Sequence, residues 1–243
     1  MSKDKIVGVL SHTKGSELLK KLEQAGLTPE LAQEVIESPN NHKANQIVGF
    51  LTHNENPFLI PSDPMEQWVA LYKKYFDIDL DPSKIMIPAK KEGFNRLIIV
   101  AKGMKMQQVY DQLSKLFGCW KYTDKNLDDV VTHNDREATE SYAIWVRDGV
   151  EADKENKSKS ANDLAKENHT GITLLERLLL ELNHFYTTSE HLDIKNITLC
   201  TGSRDADGFV PCVYWFGGDK MYVFWCNPSN ALVNLRSREV VSA

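Results

Sequence analysis

The stretch "GITLLERLLLELNHFY" (171–186) constrains this chain more than any other. Leu175, Leu178, Leu179, Leu182 and Tyr186 recur at helical spacing and form a wide apolar face, so the segment predicts a helix packed deeply against something large. Its sequence neighbours supply that something. "FNRLIIVAKG" (94–103), "CWKYT" (119–123), "ESYAIWVRDG" (140–149) and "KNITLC" (195–200) predict strands, as does "KIMIP" (84–88) before them. "KMQQVYDQLSKLFG" (105–118), closed by Gly118, predicts a second helix. From 94 to 201 the order is strand, helix, strand, strand, helix, strand. That is the order of a ferredoxin-like βαββαβ sandwich, two helices over one face of an antiparallel sheet.

A C-terminal β-hairpin extends this core. "PCVYWFGGDKMYVFWC" (211–226) alternates about a Gly-Gly-Asp turn. Pairing centred on Asp219 sets Cys212 opposite Cys226, whereas a two-residue Gly-Gly turn separates them. Both faces are apolar in either register, so the hairpin is covered twice or offers one face to a partner. Aromatic cross-strand pairs account for the ring density without any chemistry.

Ahead of the core, residues 1–53 predict a three-helix module: "GSELLKKLEQAG" with Leu18, Leu19 and Leu22 on one face, "PELAQEVIES" capped by Thr28 before Pro29, and a third helix in "HKANQIVGFLTH". Six lysines there balance six acids, which favours a protein-contacting or packing role over a helix-turn-helix on DNA. The three prolines of 54–64 mark a linker. The remainder, 65–243, is one α+β domain with its core at 94–201 and the hairpin at 210–226. It opens with "MEQWVALYKKYF", whose Trp68, Leu71, Tyr72 and Phe76 form a core stripe, and includes a charged, ring-free stretch at 151–168 that predicts a solvated excursion.

The 243 residues, 42% hydrophobic and 26% charged, fit a soluble globular protein. Apolar runs are too short for a leader or a membrane span, and the four cysteines lack a close pair, so a cytoplasmic chain with reduced thiols is expected. Cys200, Cys212 and Cys226 have no zinc knuckle spacing. "SRDADG" places Ser203, Asp205, Asp207 and Gly208 at calcium-loop positions, but Tyr214 stands where the bidentate glutamate belongs. Phosphate-loop, zinc-protease, serine-hydrolase and dinucleotide patterns are missing from the sequence, and no cofactor is expected. The best enzymatic alternative is a metal-dependent hydrolase using Asp205 and Asp207 with His184 or His191.

Charge is uneven. Residues 84–121 hold eight cations against two acids, in a chain of formal charge −5. Either this segment meets acidic parts of the same chain or of a second copy, or it forms a basic face for nucleic acid or another anion, with Lys90, Lys91, Arg96, Lys102 and Lys105 as candidate contacts. In order of elements, and in "SKLFG" and "SYAIWV", this region resembles RNA-recognition-motif domains. That resemblance makes Tyr142 and Trp145 candidates for base stacking, although strand alternation puts them on opposite faces. "AGLTPELAQEVIES" and "GITLLERLLLEL…HLDIKNITLCTGSRDADGFVPCVYW" resemble hypothetical proteins of uncultivated bacteria, a group that implies no activity. The expectation is a non-catalytic binding or interaction protein, with nucleic acid, a protein or a second copy as partner. A structural subunit using the 210–226 hairpin is the other alternative.

Overall fold

The chain divides into two units, Met1–Leu59 and Ile60–Ala243, at a boundary inside the proline-rich 54–64. The computed structural model describes residues 6–7, 10–38, 43–44, 47, 60–216 and 220–243. In the first unit β1 (Ile6–Val7) pairs antiparallel with β2 (Leu10–Ser11), followed by α1 (His12–Gln24) and α2 (Pro29–Ile36). Gly26 ends α1 at φ +105, where a glycine is needed to let the Leu27 amide reach back to the Leu22 carbonyl at 2.9 Å. Thr28 caps α2 by accepting from the Leu31 amide at 3.3 Å, with Pro29 in the first turn. Leu18, Leu19 and Leu22 are exposed. The third expected helix lies mostly outside the described residues.

The second unit opens with α3 (Pro64–Phe76), capped by Asp63, whose carboxylate accepts from the amides of Met65 and Glu66. It is mixed α+β, and among the described residues its strands form three sheets. β3 (Arg96–Val100) pairs with β6 (Tyr142–Val146), which pairs with β12 (Val240–Val241). A five-stranded sheet runs β11 (Leu235–Arg236), β7 (Ile197–Leu199), β9 (Val210–Phe216), β10 (Lys220–Cys226), β4 (Cys119–Lys121). β5 (Val131–Asn134) and β8 (Ser203–Asp205) form a separate pair. The helices between them are α4 (Met106–Leu116), α5 (Leu127–Val130), α6 (Ala161–Lys166) and α7 (Leu174–Thr188).

The six elements expected from 94 to 201 are present with α5, β5 and α6 inserted among them, and the four expected strands do not share one sheet. β3 and β6 belong to the three-stranded sheet, while β4 and β7 belong to the five-stranded one. The cause is visible on the free edge of β3. The Trp68 indole donates to the Leu97 carbonyl at 3.0 Å; the Tyr72 hydroxyl donates to the Ile99 carbonyl at 2.8 Å and accepts from the Ala101 amide at 3.0 Å. Side chains of α3 thereby occupy the hydrogen-bonding edge that a ferredoxin-like fold gives to another strand.

Helix α7 packs against β3 of one sheet and β9 of the other. All twelve residues from Leu174 to Phe185 are buried, so its polar side is enclosed along with its leucines. Thr173 and Glu176 form its capping box. The 151–168 stretch is not a solvated excursion. Ala152, Asp153, Asn156, Ser160, Ala161 and Leu164 are buried, tied down by bonds from Asn156 to the Ser237 carbonyl and from the Glu239 amide to Asp153. The 84–88 strand is also absent. A 3-10 turn occupies Pro82–Lys84, and the prolines at 82 and 88 supply no ladder amides.

The hairpin forms with Phe216 opposite Lys220, so neither register considered above is adopted. Cys212 stands opposite Phe224 and Cys226 opposite Val210, which makes the cysteines diagonal neighbours, both free. Val213, Trp215, Met221 and Val223 face the main core. On the other face Val210, Cys212 and Cys226 pack with Ala161 of α6.

Candidate functional site

The structure places the basic candidates mostly among partners of the same chain. Lys90 lies over the Trp145 ring at 5.1 Å, and Lys91 pairs with Glu239 at 3.2 Å and covers Phe94. Arg96 pairs with Asp148 at 2.5 Å and has a side chain only 18% exposed. Lys102 pairs with Glu140 at 2.7 Å, and Lys105 has no ion pair among the described residues. Only Lys102 and Lys105 come together, on a cleft of about 600 Å³ that they share with Asp128, Asn134, Arg136 and Glu137. Tyr142 and Trp145 are not free platforms. The Tyr142 hydroxyl donates to Glu176 at 3.0 Å and the Trp145 indole to the Pro88 carbonyl at 3.0 Å.

The hydrolase candidates are dispersed. One oxygen of Asp205 accepts from the amides of Asp207 and Phe209 at 3.0 and 2.8 Å, which is a tight turn closed by Gly208 at φ +84. Ser203, buried, accepts from the Leu174 amide and donates to Asn134. His191 bonds Glu181 at 3.0 Å and stacks on Trp215, while His184 lies beside Arg96. Burial first, and then the Arg96 charge, push the His184 pKa down to about 4. Among the described residues no three His, Cys, Asp or Glu side chains converge as metal ligands. Burial raises the thiol pKa of Cys119 to about 12 and also raises those of Cys200 and Cys212, whereas the hydrogen bond with Cys212 lowers that of Cys226.

The enclosed side of α7 carries ion pairs that sequence reasoning missed. Asp193, at φ 56 and fully buried, accepts from Arg177, Arg238, Thr198 and the Ala152 amide. Arg177 also reaches Glu181 at 2.9 Å; against burial, which raises it, Arg177 and His191 hold the Glu181 carboxyl below its usual range. Glu176 takes both Nε and Nη2 of Arg136. Each charge is paired and hydrogen-bonded, which is the condition for keeping charge inside a core. These groups tie α7 to chain segments far from it in sequence, and their role is structural.

The most open chemistry lies on the outer face of the five-stranded sheet. Tyr222 of β10 is in register with Trp120 of β4 on one side and Tyr214 of β9 on the other. Ring centroids are 5.4 Å apart for Trp120 and Tyr222, and 5.5 Å for Tyr214 and Tyr222. Tyr122 closes on Trp120 at 5.9 Å, and Phe224 on Tyr214 at 5.4 Å. Along the sheet the row continues into Ile197 and Leu235, which are buried, whereas Trp120 is 42% and Tyr122 73% exposed. Lys220, exposed and two residues before Tyr222, shares this face by strand alternation and has no ion pair among the described residues; exposed Lys125 follows Tyr122 by three residues. The hairpin half of this row was legible in the alternation of 211–226. Trp120 was not, because β4 pairs parallel with a strand about a hundred residues away. No family model, curated protein or solved structure matches this chain.

Proposed function

We propose that this is a binding protein and that its ligand is single-stranded nucleic acid, carried on the outer face of the five-stranded sheet. The observation that carries this reading is the row Trp120, Tyr222, Tyr214 on three adjacent strands, open to solvent at its Trp120 and Tyr122 end. Exposed rings on a sheet offer stacking partners to unpaired bases, and the exposed Lys220 and Lys125, near them in sequence, supply cations for the phosphates. The five cations first considered contribute less, because Lys91, Arg96 and Lys102 are paired with carboxylates and Lys90 with a ring.

The two versions differ in salt dependence. Two phosphate contacts give a slope of log K against log salt of about −1.4, and a five-cation face about −3.5. Titrating a labelled oligonucleotide against the full chain at several salt concentrations separates them. A shallow slope supports the aromatic row, a steep one returns the site to 84–121, and no binding at low salt removes both.

A second reading has its own observation. β4 is the edge strand of the sheet and carries the exposed Trp120, so the same face suits a second copy of the chain. Light scattering across a concentration series distinguishes a monomeric binder from an assembly. Among the described residues no helix is long and apolar enough to cross a membrane.

A further inference from the structure

We infer that the cleft beside the N-terminal end of α4 is a separate binding site for a small molecule with a phosphate or carboxylate head on an apolar body. Its volume of about 600 Å³ is within the usual range for small-molecule sites, about 300–1,000 Å³. Arg136 specifies the head group. That side chain is 14% exposed, its Nε and Nη2 are held by the buried Glu176 carboxylate at 2.7 and 2.8 Å, and Nη2 also donates to the Gly171 carbonyl. Its Nη1 has no partner among the described residues, so a fixed, half-used guanidinium lines the cleft. Asn134 is oriented in the same way. Its Oδ1 accepts from Ser203 at 2.6 Å, which leaves the amide nitrogen as a donor.

The lysines complete the set. Lys105 is unpaired among the described residues, and the Lys102–Glu140 pair joins side chains 63% and 79% exposed, a solvated contact that yields readily to a ligand. The acids on the lining lower its net charge but do not occupy its free donors. Asp128 spends its two oxygens on the amides of Met106 and Gln107, at 3.0 and 3.1 Å, and Glu137 is exposed at the rim. Met104, Met106, Val131 and Leu175 give the cleft an apolar wall for the body of the ligand.

The test is calorimetric titration of the full chain with inorganic phosphate, adenosine 5′-monophosphate, adenosine and benzoate. Saturable binding of the monophosphate but not of adenosine assigns a phosphate head; binding of benzoate alone assigns a carboxylate. In either case Lys102→Glu/Lys105→Glu weakens binding about tenfold or more, with an unchanged melting temperature. Asn134→Asp, which keeps the oxygen facing Ser203, weakens it too and serves if the double variant does not fold. Trp120→Ala/Tyr122→Ala leaves the titration unchanged, which separates this site from the aromatic row. No saturable binding of any probe at millimolar concentration, binding indifferent to both cleft variants, or binding lost in the Trp120/Tyr122 variant overturns the assignment.

Discussion

Tyr222 stands directly opposite Trp120 across a parallel strand pair, with ring centroids 5.4 Å apart. This pairing joins the edge strand β4 to the hairpin and carries the apolar row from a buried end at Leu235 to an open end at Trp120. Ile197 and Leu235 at the buried end are core. The rings at the open end are available to a ligand, and the two ends respond differently to substitution.

Trp120→Ala removes a ring that is 42% exposed and is expected to cost about 1 kcal/mol or less of stability. Trp215→Ala, on the buried face against Phe117 and His191, is expected to cost about 3–5 kcal/mol. Urea unfolding of the two variants checks the contrast. Equal losses contradict the division of the sheet into a core face and an open face.

Tyr72→Phe deletes one hydroxyl and strands two buried backbone groups, the Ile99 carbonyl and the Ala101 amide. The expected loss is about 1–3 kcal/mol. Hydrogen exchange at Ala101 should accelerate in the same variant. Unchanged protection there would show that α3 does not guard the edge of β3.

Asp193→Asn leaves Arg177 and Arg238 facing each other without their shared carboxylate. Breaking one side of a buried ionic cluster costs about 3–5 kcal/mol, and chemical denaturation is the measurement. A loss below about 1 kcal/mol contradicts the structural role given to this cluster.

His184 makes stability fall in mild acid. Its folded pKa of about 4 lies below the ordinary 6.5, so the unfolded chain takes up the proton first. The stabilisation is present above pH 6.5 and is lost as pH falls toward 4, amounting to about 2 kcal/mol between pH 7 and 5. Unfolding free energies of the wild type and His184→Gln, compared at the two pH values, isolate this contribution. Identical pH dependence in the two proteins rules it out.

How far the sequence could be read depended on where each contact partner lay. The cap at Thr28, the aromatic stripe of α3, the leucine face of α7 and the alternation of 211–226 are local patterns, and the corresponding elements are present. The second sheet was not legible, because α3 reaches β3 through two side-chain tips that periodicity marks only as core. Burial of 151–168 depends on residues near 237, and the pairing of Lys102, Arg96 and Lys91 depends on Glu140, Asp148 and Glu239. The hairpin register turned on two residues of loop length, which shifted Cys212 from Cys226 to Phe224. Trp120 was visible as a strand residue but not as the continuation of a row, since nothing local specifies its parallel neighbour.

The role of the open rings is measured by titrating a fluorescein-labelled single-stranded oligonucleotide against the wild type and Trp120→Ala/Tyr122→Ala at the same salt concentration. Loss of each stacking ring is expected to weaken binding roughly 5- to 150-fold, with both proteins folded to the same extent. Equal affinities, or no binding by the wild type even at low salt, contradict the account and turn attention to the β4 edge as a contact between copies of the chain.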